Sequence, residues 1–155
     1  MSELIVRERI SMICVSACLA GEKCRYDGRS RRIGRIADLV KEGNAVAVCP
    51  EREGGLSIPR APSEQKDGRV INKEGKDVTE AFEKGASVCL DRALAAGCKT
   101  AILKENSPSC GVHAVYDGTF SGKSIPGEGI FTRKCREAGI ICRSESEEIE
   151  DERSL

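Results

Sequence analysis

Ala101-Ile-Leu-Lys-Glu-Asn-Ser-Pro-Ser-Cys-Gly111 opens as an apolar run of strand type. It breaks at Asn106-Ser-Pro108 into a polar loop that a cysteine and a glycine close. An open α/β sheet displays reactive groups in this way, because its ligand crevice lies outside the carboxyl ends of its strands. Two other stretches repeat the design. Met12-Ile-Cys-Val-Ser-Ala17 runs into Cys18-Leu-Ala-Gly21, and Ala45–Cys49 runs into Pro50 and Glu51.

Helical patterns separate these strands. Ser30–Glu42 carries apolar residues at Ile33, Ile36, Ala37 and Val40 and stops at Gly43. A longer helix is signalled from Asp77, with Glu80 three residues on to complete a capping box. Its stripe runs through Val78, Phe82, Ala86, Cys89 and Ala93 to Gly97. Ile130–Ala138 reads as a helix stopped by Gly139, and Ile140–Cys142 as a fourth short strand. Gly54–Glu64 reads as loop, Asp67–Asn72 as part of a hairpin, and Tyr116–Gly129 as loop or small hairpin. Alternating strands and helices predict an α/β fold: an open, mostly parallel four-stranded, Rossmann-like sheet with flanking helices. The expected organisation is one α/β domain over 12–142, an N-terminal extension over 1–11 and an acidic, serine-rich, disordered tail over 143–155.

The 155 residues hold 25 Lys and Arg against 25 Asp and Glu, so no global field draws the chain to nucleic acid or a membrane surface. No apolar run approaches the length of a membrane span, and Met1–Arg9 is charged rather than leader-like. The expected location is the cytoplasm. In a reducing compartment nine cysteines do not read as a disulfide framework, and an odd number cannot pair fully. They are metal ligands, catalytic thiols or small core residues.

Position sorts them. Cys14, Cys89, Cys98, Cys135 and Cys142 sit in or beside ordinary secondary structure with no chemical neighbours, and read as small hydrophobes. Cys18, Cys49 and Cys110 lie at or past the carboxyl ends of predicted parallel strands, each followed by a turn residue, where they would converge as a metal or cluster site. Cys24 is either a fourth ligand or an exposed thiol. No C-x-x-C occurs, so zinc ribbons and thioredoxin chemistry lose their usual signature. Gly118–Ser124 imitates a P-loop, but its first glycine is one residue too close to Gly122-Lys123-Ser124, and Pro126 opposes an immediate helix. The lone His113 reads as a loop residue beside the site.

Val15-Ser-Ala-Cys-Leu19, Cys24-Arg-Tyr-Asp-Gly28, Cys49-Pro-Glu51 with Gly54-Gly-Leu56 and Pro59-Arg60, Asn72-Lys-Glu-Gly-Lys-Asp-Val-Thr79, Ile102–Gly111 and Tyr116-Asp-Gly-Thr-Phe-Ser-Gly122 together resemble the thiouracil desulfurase family. The resemblance covers roughly Met12–Cys142. It implies an iron–sulfur-dependent desulfidase with a 4Fe–4S cluster held by Cys18, Cys49 and Cys110. A cubane tied at three corners keeps one iron open, as catalytic zinc sites keep a position for substrate. The implied reaction is non-redox, hydrolytic desulfuration of a thiouracil- or 4-thiouridine-type pyrimidine with release of sulfide. By the same resemblance Glu51 and Ser107 are the groups expected to handle protons. For Glu51 the competing structural role is a helix cap or an ion pair with Arg60; for Ser107 it is holding the turn before Pro108.

The implied partner is a small-molecule thiopyrimidine base, nucleoside or nucleotide. Arg29, Arg31, Arg32 and Arg35 could meet the phosphate of a nucleotide or a tRNA, but a charge run is more often a solvated face. Two other readings compete. One is a non-catalytic zinc or iron–sulfur module closed by Cys24 as fourth ligand. The other is a thiol enzyme with Cys110 as nucleophile and His113 as base.

Overall fold

The structure is a computed structural model that describes residues 12–147. Its centre is an all-parallel sheet of β1 (Ile13–Ser16), β2 (Ala45–Val48), β5 (Thr100–Leu103) and β8 (Ile141–Ser144), in the spatial order β2-β1-β5-β8. Ile13 pairs with both Ala45 and Thr100, and Thr100 with Ile141, so the carboxyl ends of the strands lie along one edge. The order reverses at β1 and β5. An open α/β sheet places its crevice at such a switch point.

Alternation along the strands divides the core. Cys14, Ala101 and Leu103 face the long helix α3 (Thr79–Ala95) and α4 (Ile130–Glu137), packing with Phe82, Ala86, Cys89, Phe131 and Cys135. Val15 and Ile102 face the opposite side, where Leu19 and Ile36 cover them. Leu19 belongs to a 3-10 turn at Ala17–Ala20, and Ile36 to α1 (Gly34–Lys41). Because both sheet faces are covered, the strands read as continuous apolar runs. Phe82 and Phe131 are wholly buried, each contributing about 1.5–3 kcal/mol.

The fold class is as expected, and the details differ in instructive places. The region read as loop to Glu64 already contains β3 (Ser63–Lys66), which pairs antiparallel with β4 (Arg69–Asn72). The glycine-rich stretch forms the hairpin of β6 (Ala114–Tyr116) and β7 (Ser124–Pro126), so Ser124 enters a strand where a P-loop would enter a helix. Asp77 does bond the first turn of α3, its Oδ1 accepting from the Thr79 amide at 2.9 Å. Its other oxygen pairs with Arg69, and among the described residues Glu80 makes no return bond. Structure continues past Cys142: β8 reaches Ser144, residues 145–147 are helical, and Glu145 accepts a bond from the Glu105 amide. The expected extension over 1–11 and the tail from 148 onward lie outside the described residues. Among the described residues no helix is long and apolar enough to cross a membrane.

Candidate active site

The carboxyl edge of the sheet opens into a cavity of about 340 Å³ whose wall includes Cys18, Cys49, Glu51, Ser107 and Cys110. Cys18 lies in the 3-10 turn that follows β1. Cys49 stands between β2 and the short helix α2 (Pro50–Glu53), whose first turn carries Glu51. Pro50 suits the start of a helix, where its missing N–H would have no partner. Cys110 closes the loop after β5.

Side chains and tight contacts fix that loop. Glu105 Oε1 accepts the amides of Val112, His113 and Ala114 at 2.7, 2.9 and 3.0 Å. Ser107 Oγ accepts the amides of Ser109 and Cys110 at 3.2 and 3.0 Å, folding the chain back before the thiol. Gln65 reaches over from β3 to donate to the carbonyls of Pro108 and Glu128. Behind the loop a Cβ on Gly129 would stand 2.3 Å from the Ser109 carbonyl, so only glycine lets α4 begin there.

A chain of polar contacts crosses the cavity wall. Arg60 donates from Nε and Nη2 to Glu51 Oε1 at 3.2 and 3.0 Å. Ser109 Oγ donates to Glu51 Oε2 at 3.1 Å and lies 2.9 Å from Ser107 Oγ. Both structural roles weighed for Glu51 and Ser107 are therefore present, the ion pair and the turn, and both groups still line the cavity.

Burial pushes the Cys18 thiol up to about 11, and pushes Cys110 well above its ordinary range. Cys49 is brought down to about 7, chiefly by a hydrogen bond from the Cys24 thiol, helped by the Arg52 amide and the Arg60 charge. Cys24 is raised in turn. As a thiol, Cys49 instead donates to the Cys24 carbonyl at 3.8 Å. The Arg52 amide and the cation favour the thiolate form, with Cys24 donating.

A family profile described as 2-thiouracil desulfurase matches residues 13–147. The chain belongs to the 2-thiouracil desulfurase family. An uncharacterized protein of Bacillus subtilis (strain 168), YbbK, is 42% identical over 146 residues, covering 88% of this chain and 97% of its own length. The solved structure of the [4Fe-4S]-dependent thiouracil desulfidase TudS (DUF523Vcz) matches with a TM-score of 0.84 at 46% identity, covering 88% of this chain and 91% of that one.

The donor set of this desulfurase-family chain suits an iron–sulfur cluster. Cys18, Cys49 and Cys110 are free thiols, 8%, 9% and 4% exposed, on one cavity wall. Cys18 would feel the charge of Cys49, and Cys110 the charges of both Cys18 and Cys49. Thiolate sulfur is the usual ligand of cluster iron. Among the described residues no three His, Cys, Asp or Glu side chains form a single-ion site.

Cys24 corrects one expectation. It is 2% exposed, on the same cavity wall, and in contact with Cys49, so it is not an exposed thiol. Cys135 and Cys142 correct another: their thiols meet across α4 and β8, whereas the sequence offered them no chemical neighbour. Cys14, Cys89 and Cys98 are buried in the apolar core as expected. His113 is exposed and bonded to Glu147, away from the cavity. Ser109 and the doubly bonded Arg60 went without a functional role in the sequence reading. The Ser-x-Ser spacing around Pro108 was the available signal for the first.

Proposed function

We propose that this chain hydrolyses the thiocarbonyl of a thiolated pyrimidine, of thiouracil or 4-thiouridine type, to a carbonyl and sulfide without net electron transfer. In this reading Cys18, Cys49 and Cys110 hold a 4Fe–4S cluster, and Glu51 and Ser107 handle protons. The observation that carries the reading is the convergence of three buried free thiols, a clamped carboxylate and a hydroxyl on one cavity. Family membership and 46% identity to a [4Fe-4S]-dependent thiouracil desulfidase support it. Bound at three corners, such a cluster would supply an open, Lewis-acidic iron that favours soft sulfur and makes the adjoining carbon electrophilic.

The protein's own groups account for the rest. Glu51 sits two residues beyond a ligand cysteine with one oxygen held by Arg60, so its reach to a water in the cavity is fixed by the backbone. Tyr26 and Phe120 line the same cavity and offer flat apolar surface to a pyrimidine ring. The substrate is a small molecule, as base, nucleoside or nucleotide, because the cavity has the size of small-ligand sites. The chain acts as one α/β unit in the cytoplasm.

A second reading has an observation of its own. Cys24 is a fourth buried thiol on the wall, and a closed four-cysteine zinc or iron–sulfur module would use it. The test is iron, zinc and acid-labile sulfide per chain after anaerobic purification, with Cys18, Cys49, Cys110 and Cys24 each changed to Ser. Iron with matching sulfide should be lost in the first three and kept in Cys24→Ser, and the intact protein should release sulfide from 2- or 4-thiouracil. Zinc, or loss of metal in all four variants, decides for the closed module.

A further inference from the structure

We propose that Ser109 is the positioning residue that makes Ser107 and Glu51 one unit, and that protons travel through it from Ser107 toward Glu51. This rests on the desulfidase reading. Ser109 is 2% exposed, and its Oγ lies 2.9 Å from Ser107 Oγ and 3.1 Å from Glu51 Oε2. Ser107 has no direct bond to the carboxylate, so Ser109 is the bridge between the two groups.

Donor counting fixes the direction. A hydroxyl offers one hydrogen and two lone pairs. Both lone pairs of Ser107 Oγ are engaged, by the amides of Ser109 at 3.2 Å and Cys110 at 3.0 Å. Ser107 therefore donates its hydrogen to Ser109 rather than accepting from it. Ser109 then has one hydrogen for two acceptors, Glu51 Oε2 at 3.1 Å and the Cys110 sulfur at 3.7 Å. The nearer, ionised oxygen is the stronger acceptor. The resting order is Ser107 O–H to Ser109 O–H to carboxylate, and Arg60 on Oε1 keeps the carboxylate turned to receive it.

The transfer balances atom by atom. Ser107 Oγ releases its own proton to Ser109, and the lone pair so freed takes a proton from a ring N–H or a water on the cavity side. Ser109 releases its own to Glu51 Oε2. Each hydroxyl forms one O–H bond and breaks one, so both end as they began, and one proton has moved from the cavity to the carboxylate. The two amides on Ser107 meet the negative charge that builds on its oxygen during the step, as an oxyanion hole does.

The test compares Ser109→Ala and Ser109→Thr with the parent protein for iron and sulfide content, kcat and KM of sulfide release, and the ¹³C carboxyl resonance of Glu51 in metal-free protein. Ser109→Ala should keep the cluster and the KM and lose about 10²-fold in kcat, the low end for an acid–base contribution. Threonine should restore most of it. Combined with Glu51→Gln or Ser107→Ala it should cost little more than either alone, because groups in one chain are not additive. The Glu51 resonance should move in Ser109→Ala. Parental kcat in the alanine variant, multiplying losses in the double variants, or an unmoved resonance each overturn the proposal. If Ser109→Ala fails to hold iron, the threonine variant and the metal-free resonance still decide it. A parent protein that releases no sulfide from any thiopyrimidine defeats the desulfidase reading instead, while the resonance continues to report the bridge.

Discussion

Arg60 turns a surface-type ion pair into a fixed part of the cavity wall. Two of its nitrogens reach Glu51 Oε1, and the remaining bonds go to the carbonyls of Cys24 and Ser57. The pair is little exposed, 8% for the Arg60 side chain and 16% for Glu51. Breaking a pair of this kind typically costs about 3–5 kcal/mol, because the remaining charge is left without a partner. Arg60→Met should therefore lower stability by about 3 kcal/mol in chemical denaturation and lower the rate of sulfide release. Arg60→Lys should recover part of the stability and little of the rate, since an ammonium cannot reproduce the planar fork. A lysine variant with parental kcat would show that the orientation of Glu51 is set elsewhere. The family resemblance singled out Glu51, and its place two residues past Cys49 predicted its reach to the cavity wall. The sequence left open whether Arg60 competes with function or serves it, because a pairing between residues nine apart says nothing about which carboxylate oxygen is left for the cavity.

At the scale of elements, the site depends on how closely α2 lies against α3. A Cβ on Gly85 of α3 would stand 1.7 Å from the Pro50 carbonyl oxygen, and one on Gly54 would stand 2.0 Å from the Ala81 carbonyl oxygen. Both obstacles are backbone, so a side chain there has to push the helices apart. Gly85→Ala should cost about 1–3 kcal/mol, the range for overpacking, although alanine is the better helix former. Because α2 carries Glu51 and begins beside Cys49, the same change should reduce both cluster content and turnover. A variant with raised melting temperature and parental iron content would refute the contact. The four sheet strands, the long helix and the convergence of Cys18, Cys49 and Cys110 were legible because apolar runs and glycine stops are local signals. The β3–β4 hairpin was only half legible: Ser63-Glu-Gln-Lys66 has no apolar alternation, and Glu64 is buried by accepting the amides of Gly118 and Phe120 from a distant loop. Cys24 was left open between a ligand and an exposed thiol for the same reason, since what buries it comes from elsewhere in the chain.

Across the whole molecule, the cysteines couple folding to pH in the metal-free state. Burial holds the thiols of Cys14 and Cys110 far up, Cys18 at about 11 and Cys89 at about 12, against an ordinary value of 9.0. A raised group keeps its full contribution to stability below its unfolded value and loses it as pH climbs toward its folded value, because the unfolded chain releases the proton first. Each such thiol removes about 1.4 kcal/mol per pH unit once pH exceeds that unfolded value. Cys49 works in the opposite sense: at about 7 in the fold, it adds stability as pH rises from there to 9.0. The metal-free protein should therefore be most stable near pH 9 as far as its thiols are concerned, and its urea midpoint should fall steeply between pH 9 and 11. Cys89 lies in the core away from the cavity wall, which makes it the cleanest control. Cys89→Ala should flatten the decline above pH 9 by about 1.4 kcal/mol per pH unit while leaving the rise between pH 7 and 9 intact. A flat profile above pH 9 in the parent would mean that the buried thiols ionise as freely as in the unfolded chain, and that the cavity wall is wetter than its packing implies. With Cys18 and Cys110 holding the cluster as proposed, loaded protein should lack this decline from those two thiols, because thiolates bound to iron have already released their protons.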